Sequence, residues 1–303
     1  MQQLSGTSVL VTGGAGFIGS HLVDALVPEN DVRVLDDFST GRRERLPEDV
    51  TVYEGDVRDA GLVERAMEGV DLVFHTAALI SVPESTKHPE RSHDINARAT
   101  LSILERARRV DARVVLSSSC ALYGPPESTP IHESDAKSPT SPYGVDKLTA
   151  DTYARLYNDL YGLETVALRY FNVYGPRQAE NPYSGVVSTF LRQARADEPI
   201  TVEGDGAQTR DFVHVSDVVQ ANLLAATTDA VGDAYNVGTG SSVSIEELAR
   251  LVRTTADSGS EIVHVDARPG DVDRSRADIG RIRERLGYEP RVSLSDGLAD
   301  LLR

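Results

Sequence analysis

Residues 8–27 read SVLVTGGAGFIGSHLVDALV, and the nine at its centre, VTGGAGFIG (11–19), decide the fold. SVLVTGG (8–14) has the continuous apolar character of a strand buried on both faces, and FIGSHLVDALV (17–27) carries an apolar stripe at helical spacing. Between them stand Gly13, Gly14, Gly16 and Gly19, which satisfy both G-x-x-G-x-x-G and G-x-G-x-x-G. Glycines so placed let a strand-to-helix turn be tight and let backbone approach a pyrophosphate at the helix N-terminus. A glycine string alone is a weak signal. A strand before it and a helix after it are the context that makes it a dinucleotide site.

The same rhythm runs outward. Strand patterns follow at 31–37, 51–57, 71–79, 112–119 and 163–175, with helical patterns at about 59–69, 91–110 and 143–162. Strands that are continuously apolar and alternate with helices form a parallel sheet covered on both sides. The expected fold is therefore α/β, a doubly wound parallel (Rossmann) sheet. After Pro176 the rhythm changes to a glycine- and proline-rich loop. Beyond it come a helix at about 186–197, short strands near 200–203, 211–213 and 262–265, and helices near 216–227, 244–256 and 278–286. This predicts an NAD-binding domain over 1–175 and a smaller α/β substrate-binding cap over 176–303, with segments near 211–240 returning to the first domain.

Composition narrows the function. The 303 residues carry 47 acidic against 31 basic side chains, a net charge of −16, and three of the basic residues are lysines. Such a surface repels nucleic acid and anionic lipid, so neither is an expected partner. Dense carboxylates with almost no lysine suggest adaptation to high salt, where screening removes self-repulsion. No apolar run reaches a membrane-spanning length. The single cysteine, Cys120, and the lack of a basic leader segment predict a cytoplasmic protein. The seven histidines show no ligand spacing, so no metal is expected.

At the end of the second strand, Asp36 stands seventeen residues beyond Gly19. A carboxylate there accepts hydrogen bonds from a ribose hydroxyl and repels a 2′-phosphate, which favours NAD over NADP. Arg42 and Arg43 lie close enough in sequence to leave NADP as the weaker alternative. Further on, SPYGVDK (141–147) sets Tyr143 four residues before Lys147, on one helical face. An ammonium beside a phenol favours the phenolate, a route to a general base. Taken alone, a Tyr-x-x-x-Lys pair is more often an aromatic resting on an aliphatic stem. Ser119 at the end of the fifth strand, 24 residues before Tyr143, and the nucleotide turn before both make a joint pattern.

That pattern, with LDDFSTG (35–41), GDVRD (55–59), HTAAL (75–79), SSSCALYG (117–124), RYFNVYGPRQ (169–178), GDGAQTRDFVHVSDV (204–218), YNVGTG (235–240) and RPGD (268–271), resembles the extended short-chain dehydrogenase/reductase superfamily. The likeness spans nearly the whole chain and is strongest to its nucleotide-sugar epimerases and dehydratases, above all the UDP-glucose 4-epimerases. It implies that Tyr143 takes a proton from the sugar 4-hydroxyl, that Lys147 lowers the Tyr143 pKa and holds the cofactor ribose, and that Ser119 shares the proton. For NAD it implies contacts from Gly13, Gly16, Phe17, Ile18 and Gly19. It adds Asp36, Asp37, Ser39, Thr40 and Gly41 from the second strand end, and Asp56 and Val57 from the third. His75, Ala77, Ala78, Ser117, Tyr143, Lys147 and Tyr170 complete that set.

For a nucleotide-diphosphate sugar, UDP-linked by family frequency, it implies Ser119, Asn172, Val187, Arg210, Arg268, Asp271 and Ser275. Arg210 and Arg268 match diphosphate-gripping positions, and Asp271 a contact to the nucleoside ribose. Dehydratases carry an acidic pair after the catalytic Ser or Thr, and decarboxylases tend to carry a glutamate at the second position. Here Cys120 and Ala121 stand there, which leaves a 4-epimerase, with a uronate epimerase, dehydratase, decarboxylase or reductase as the alternative within the superfamily. A non-catalytic NAD-binding sensor or scaffold is the alternative from another class. Many relatives place an aromatic where Glu203 stands, and some epimerases a tyrosine where Ser275 stands. The base and the sugar among glucose, N-acetylglucosamine and glucuronate therefore stay open. Relatives pair the helices near 91–110 and 143–162 into a homodimer, the expected state here.

Overall fold

The computed structural model describes residues 4–178, 185–267 and 270–302. Seven strands form one parallel sheet: β1 (Ser8–Thr12), β2 (Asp31–Asp36), β3 (Thr51–Glu54), β4 (Leu72–His75), β5 (Arg113–Ser119), β6 (Thr165–Tyr170) and β7 (Asp233–Val237). Across the sheet they run β7-β6-β5-β4-β1-β2-β3. The chain starts in the middle, winds outward through β2 and β3, then crosses back to begin again at β4. The connections after β1 and β4 leave in opposite directions, which opens a crevice at their carboxyl ends.

Successive side chains of a strand point to opposite faces, so each strand feeds two cores. Val9 and Val11 join Leu22, Val23 and Leu26 of helix α1 (Phe17–Leu26), with Val218, Ala221 and Ala225 of the helix Val215–Thr227. Leu10, between them in sequence, faces the other way, toward Ile103, Leu104 and Ala107 of α2 (Ala99–Val110) and Ala150 and Ala154 of α3 (Pro142–Tyr161). Two covered faces explain the continuous apolar strand pattern. The long helix α3 is well delimited. The Ser141 side chain accepts from the Gly144 N–H at 3.1 Å, Pro142 occupies the first turn, and Gly162 at φ 69° ends it.

A third cluster, including Val187, Phe190, Leu191, Ile200, Val202, Leu248 and Val252, forms the small layer contributed after Pro176. There the strands Ile200–Glu203 and Ile262–Val265 pair in parallel beneath the helices Val186–Arg195 and Ile245–Thr255. No helix among the described residues is long and apolar enough to cross a membrane.

Three boundaries depart from the sequence reading. The run 71–79 stops being a strand at His75, because the Thr76 hydroxyl donates to the Thr12 carbonyl at 2.6 Å and bends the chain. The helical run 91–110 is broken into Pro89–His93, a π-turn at Asp94–Arg98, and α2. That turn carries Asn96, whose side chain accepts from the Leu79 N–H at 2.8 Å and donates to the Leu79 carbonyl at 2.9 Å. The run 163–175 divides after Tyr170, and Asn172–Tyr174 pairs instead with Phe212–His214. Strand β7 has no counterpart among the expected strands. Its polar Asn236 is fully buried and satisfied by Tyr123, Ile131 and Glu133 rather than by solvent.

Candidate active site

At the crevice, Gly13 has φ +69°, and a Cβ there would lie 2.8 Å from the Ala77 backbone. A Cβ on Gly19 would lie 2.1 Å from the Gly13 carbonyl oxygen. The turn therefore packs directly on the segment after β4 and admits no side chain. Gly16 is the N-cap of α1 and supplies no side-chain cap, so the leading N–H groups of Phe17, Ile18 and Gly19 remain for an anion. This cradle fits the pyrophosphate of a dinucleotide.

Beside it, Asp36 is buried at the end of β2. Its Oδ2 accepts from the Ala15 N–H at 2.9 Å and its Oδ1 from the Phe38 N–H at 2.8 Å. Burial pushes its pKa up, against the pull of those two bonds. Each oxygen keeps a lone pair for a ribose hydroxyl. Gly41 closes over it, where a Cβ would lie 2.8 Å from Asp36 Oδ1. Asp37 accepts from the Ser39 N–H and hydroxyl at 2.9 and 2.6 Å, which shapes the loop through Thr40. Arg43, one of the two arginines that left NADP open, is paired with Glu54 at 2.6 Å. After β3, Asp56 is paired with Arg58 at 2.6 Å and Val57 is buried beside it.

His75 is corrected as a cofactor ligand through its side chain. It is buried, its Nδ1 lies 2.7 Å from the Thr12 hydroxyl, and its Nε2 lies 3.0 Å from that of Thr100. Thr100 donates to the Asn96 carbonyl at 2.7 Å, so it accepts from an Nε2–H and leaves Nδ1 as the acceptor from Thr12. Burial drops this imidazole to about 3, so it is neutral. It is a strut that fixes the path of Ala77 and Ala78 past Gly13.

The reacting groups stand on the wall formed by β5 and α3. Ser119 ends β5 and caps the following turn, its hydroxyl accepting from the Ala121 N–H at 3.2 Å. Tyr143 is held at the start of α3 by a bond from its N–H to the Ser85 hydroxyl at 3.2 Å. Lys147, one turn on, is buried and donates to the Ser117 carbonyl at 2.8 Å. Its Nζ lies 5.9 Å from the centre of the Tyr143 ring. The Ser117 and Tyr170 hydroxyls lie 3.1 Å apart, and Tyr170 also meets Asn222.

The electrostatics correct one expectation. Burial pushes Tyr143 up to about 12, and a hydrogen bond with Ser119 pulls the other way. Lys147 does not supply the expected lowering. Its ammonium is turned to a backbone carbonyl, and burial brings its own pKa down to about 8.

On the other side of the crevice, Arg210 donates to Asp271 at 2.6 Å and to the Thr209 carbonyl at 2.8 Å. Its charge reaches the Cys120 thiol, whose pKa burial pushes up to about 12. Ser275 is buried, and its N–H donates to the Thr209 carbonyl at 3.1 Å, so it joins the same wall. Asn172 donates its N–H to the Asp211 carbonyl at 3.0 Å. The Val187 side chain lies in the third core, which leaves its backbone at the start of the helix Val186–Arg195 as the part able to meet a ligand. Arg268 falls outside the described residues.

Two buried carboxylates behind the site escaped the sequence reading. Asp151 accepts from Arg169 through both oxygens at 2.8 and 2.9 Å and from the Ser118 hydroxyl at 3.1 Å. It continues the Tyr143–Lys147 stripe by one more turn, a signal that was available. Asp211 accepts from the N–H groups of Thr239, Gly240 and Ala277 at 2.8, 3.0 and 3.1 Å, tying YNVGTG to the strand that carries Arg210. It directly follows Arg210 in sequence.

A sequence profile of the NAD dependent epimerase/dehydratase family matches residues 9–238. A putative UDP-glucose 4-epimerase of Methanocaldococcus jannaschii is 40% identical over 294 residues, covering 96% of this chain and 95% of the relative. Among solved structures, the UDP-N-acetylglucosamine 4-epimerase of Methanobrevibacter ruminantium, in complex with UDP-N-acetylmuramic acid, superposes with a TM-score of 0.95 at 37% identity, covering 99% of this chain and 98% of that one. The UDP-glucose 4-epimerase of Thermotoga maritima with UDP-glucose gives 0.94 at 37% identity and 97% coverage of both chains.

Proposed function

The chain belongs to the NAD dependent epimerase/dehydratase family, and we propose that it interconverts the C4 epimers of a UDP-linked sugar through a transient 4-keto intermediate. One arrangement carries this reading. Ser119, Tyr143 and Lys147 meet at the carboxyl end of β5, in the same parallel sheet as the strand that leads into the glycine turn, with no acidic side chain in the two positions that follow Ser119.

Bound NAD would supply a reversible hydride acceptor for C4 of the sugar. Gly13, Gly16 and Gly19 provide the backbone cradle for its pyrophosphate, and Asp36 takes the ribose hydroxyls. Tyr143 removes the proton from the sugar 4-hydroxyl, and Ser119 bonds the same oxygen. A phenol held near 12 becomes a base only when positive charge is added beside it. Bound NAD would supply that positive charge, and Lys147 would hold its ribose. Cys120, with its thiol near 12, and Ala121 offer no proton donor for elimination across C5 and C6. The 4-keto sugar therefore returns to the alcohol, on either face.

Arg210 grips the diphosphate once its pairing with Asp271 opens, and Arg268 and the Val187 backbone assist it. Asp271 then takes the nucleoside ribose. Ser275, small and set in the wall, leaves room for an N-acetyl group at C2, so both the glucose and the N-acetylglucosamine pairs are substrates.

Proton NMR of the purified protein with catalytic NAD and either UDP-glucose or UDP-N-acetylglucosamine tests this. The expected result is new galacto anomeric signals approaching a fixed ratio, without NADH accumulation. Ser275→Tyr is expected to lose the N-acetyl substrate selectively. A 6-deoxy methyl doublet, or two unchanged spectra, would sink the proposal.

A homodimer in concentrated salt belongs to the same proposal. Leu156, Leu160 and Tyr161 are exposed along α3, and the net charge of −16 needs screening. Sedimentation in about 0.1 M and about 2 M KCl is expected to show a dimer at high salt and dissociation or unfolding at low salt. A salt-independent monomer contradicts both.

A further inference from the structure

Arg177, just beyond the strand Asn172–Tyr174, has φ +67°, a left-handed backbone that side chains other than glycine rarely adopt. Such a conformation is unfavourable and persists only where the surroundings hold it. Two residues on one face of α1 do the holding. His21 Nε2 donates to the Pro176 carbonyl at 2.9 Å, and Asp24 accepts from the Arg177 guanidinium at 2.7 Å. α1 is the helix whose N-terminus forms the pyrophosphate cradle. The chain's exit from the sheet is therefore fastened to the cofactor helix.

The next residue carries the connection onward. The Gln178 N–H donates to the Gly175 carbonyl at 3.4 Å, which closes a turn around Pro176 and Arg177. Its side-chain Nε2 donates to the Val173 carbonyl at 3.2 Å, and its Oε1 accepts from the Ser188 hydroxyl at 2.9 Å. Val173 adjoins Asn172, and Ser188 adjoins Val187 in the first turn of the helix Val186–Arg195. One side chain thus ties the strand of Asn172 to the start of that helix. It also lies against the helix N-cap, where a Cβ on Gly185 would be 3.2 Å from Gln178 Nε2. An amide both donates and accepts, which a carboxylate or a hydrocarbon side chain does not.

Resting on the proposed function, in which the Val187 backbone assists Arg210 at the diphosphate, we infer that Gln178 is a positioning residue for the UDP-sugar. It sets the first turn of the helix Val186–Arg195 against the strand of Asn172. His21 and Asp24 fix that assembly to the helix that cradles the cofactor. Gln178 touches no reacting atom in this assignment. Its loss should therefore weaken substrate binding and spare both the chemical step and the cofactor site. A bond that served stability alone would be read in Tm and not in KM.

Calorimetric titration of the protein with UDP at saturating NAD, and separately with NAD, tests this without turnover. Gln178→Ala is expected to raise the UDP Kd and the UDP-sugar KM about tenfold, with kcat and the NAD Kd within about twofold of wild type. Ser188→Ala removes one of the two side-chain bonds from its other end and should raise both about threefold. Added to Gln178→Ala it should change little more, because that bond is already gone. Asp24→Ala, although it stands on the cofactor helix, should weaken UDP about threefold and leave NAD unaffected. If Gln178→Ala does not fold, Ser188→Ala and Asp24→Ala carry the test. An unchanged UDP Kd in the folded variants, or a loss confined to Tm or kcat, overturns the inference. A wild type that binds NAD but not UDP refutes the functional reading instead.

Discussion

Tyr143→Phe is expected to lower turnover by about 10²–10⁴-fold while leaving UDP-sugar affinity almost unchanged. The substitution deletes one oxygen and keeps a ring of the same shape on the same turn of α3. Ser119 is retained, so the sugar oxygen keeps one partner but loses its base. Ser119 cannot replace it, because an alkyl hydroxyl has no accessible ionised form near neutral pH, whereas a phenol does once cations gather around it. Measuring kcat and KM for epimerisation separates the cases. A Phe variant that keeps more than about a tenth of wild-type kcat would falsify the assignment of Tyr143 as the base.

Arg169→Met should produce the largest loss of stability, about 3–5 kcal/mol. The Arg169 guanidinium is 2% exposed. It holds Asp151 through two bonds, donates to the Tyr123 hydroxyl at 2.9 Å and donates to the Glu133 carbonyl at 3.1 Å. Removing it leaves Asp151 as a buried charge matched only by the partly exposed Arg155. Asp151→Leu together with Arg169→Met should recover much of the loss, because a neutral pair of similar volume carries no desolvation penalty. Urea unfolding of the two single variants and the double variant provides the test. A double-variant loss equal to the sum of the two single-variant losses would show that the pair is not coupled.

The pH dependence of this pair has a definite sign. Burial alone would raise the Asp151 pKa, but hydrogen bonds and charge from Arg169 outweigh it and hold it below the ordinary value. Its contribution to stability is therefore present above the unfolded value and is lost as pH falls through the lowered one.

The site was legible in the sequence to different depths. The glycine turn, Asp36, Ser119, Tyr143 and Lys147 could be placed because each sits at a strand end or on one helical face, at spacings that backbone geometry dictates. Asp151 was equally readable in spacing, yet nothing local marks it as buried, and Arg169 in an apolar strand acquires its meaning only from that partner. Strand β7 went unrecognised because Asp233 and Asn236 interrupt its apolar run, and the partners that satisfy Asn236 lie more than a hundred residues away at Tyr123, Ile131 and Glu133. The helix expected over 91–110 hides a π-turn whose reason is a contact with Leu79 in another element.

By itself, the sequence determined the alternation of strands and helices, the parallel sheet, the dinucleotide turn and the Ser, Tyr and Lys that would do the chemistry. All of these are encoded within a few turns or one strand, where periodicity and glycine geometry suffice. Only the tertiary structure decided how burial moves these groups: the Tyr143 phenol up to about 12, the Lys147 ammonium down to about 8 and the His75 imidazole down to about 3. Ionisation depends on how much water burial removes and on which charges distant segments bring near. The chain acquires both only on folding.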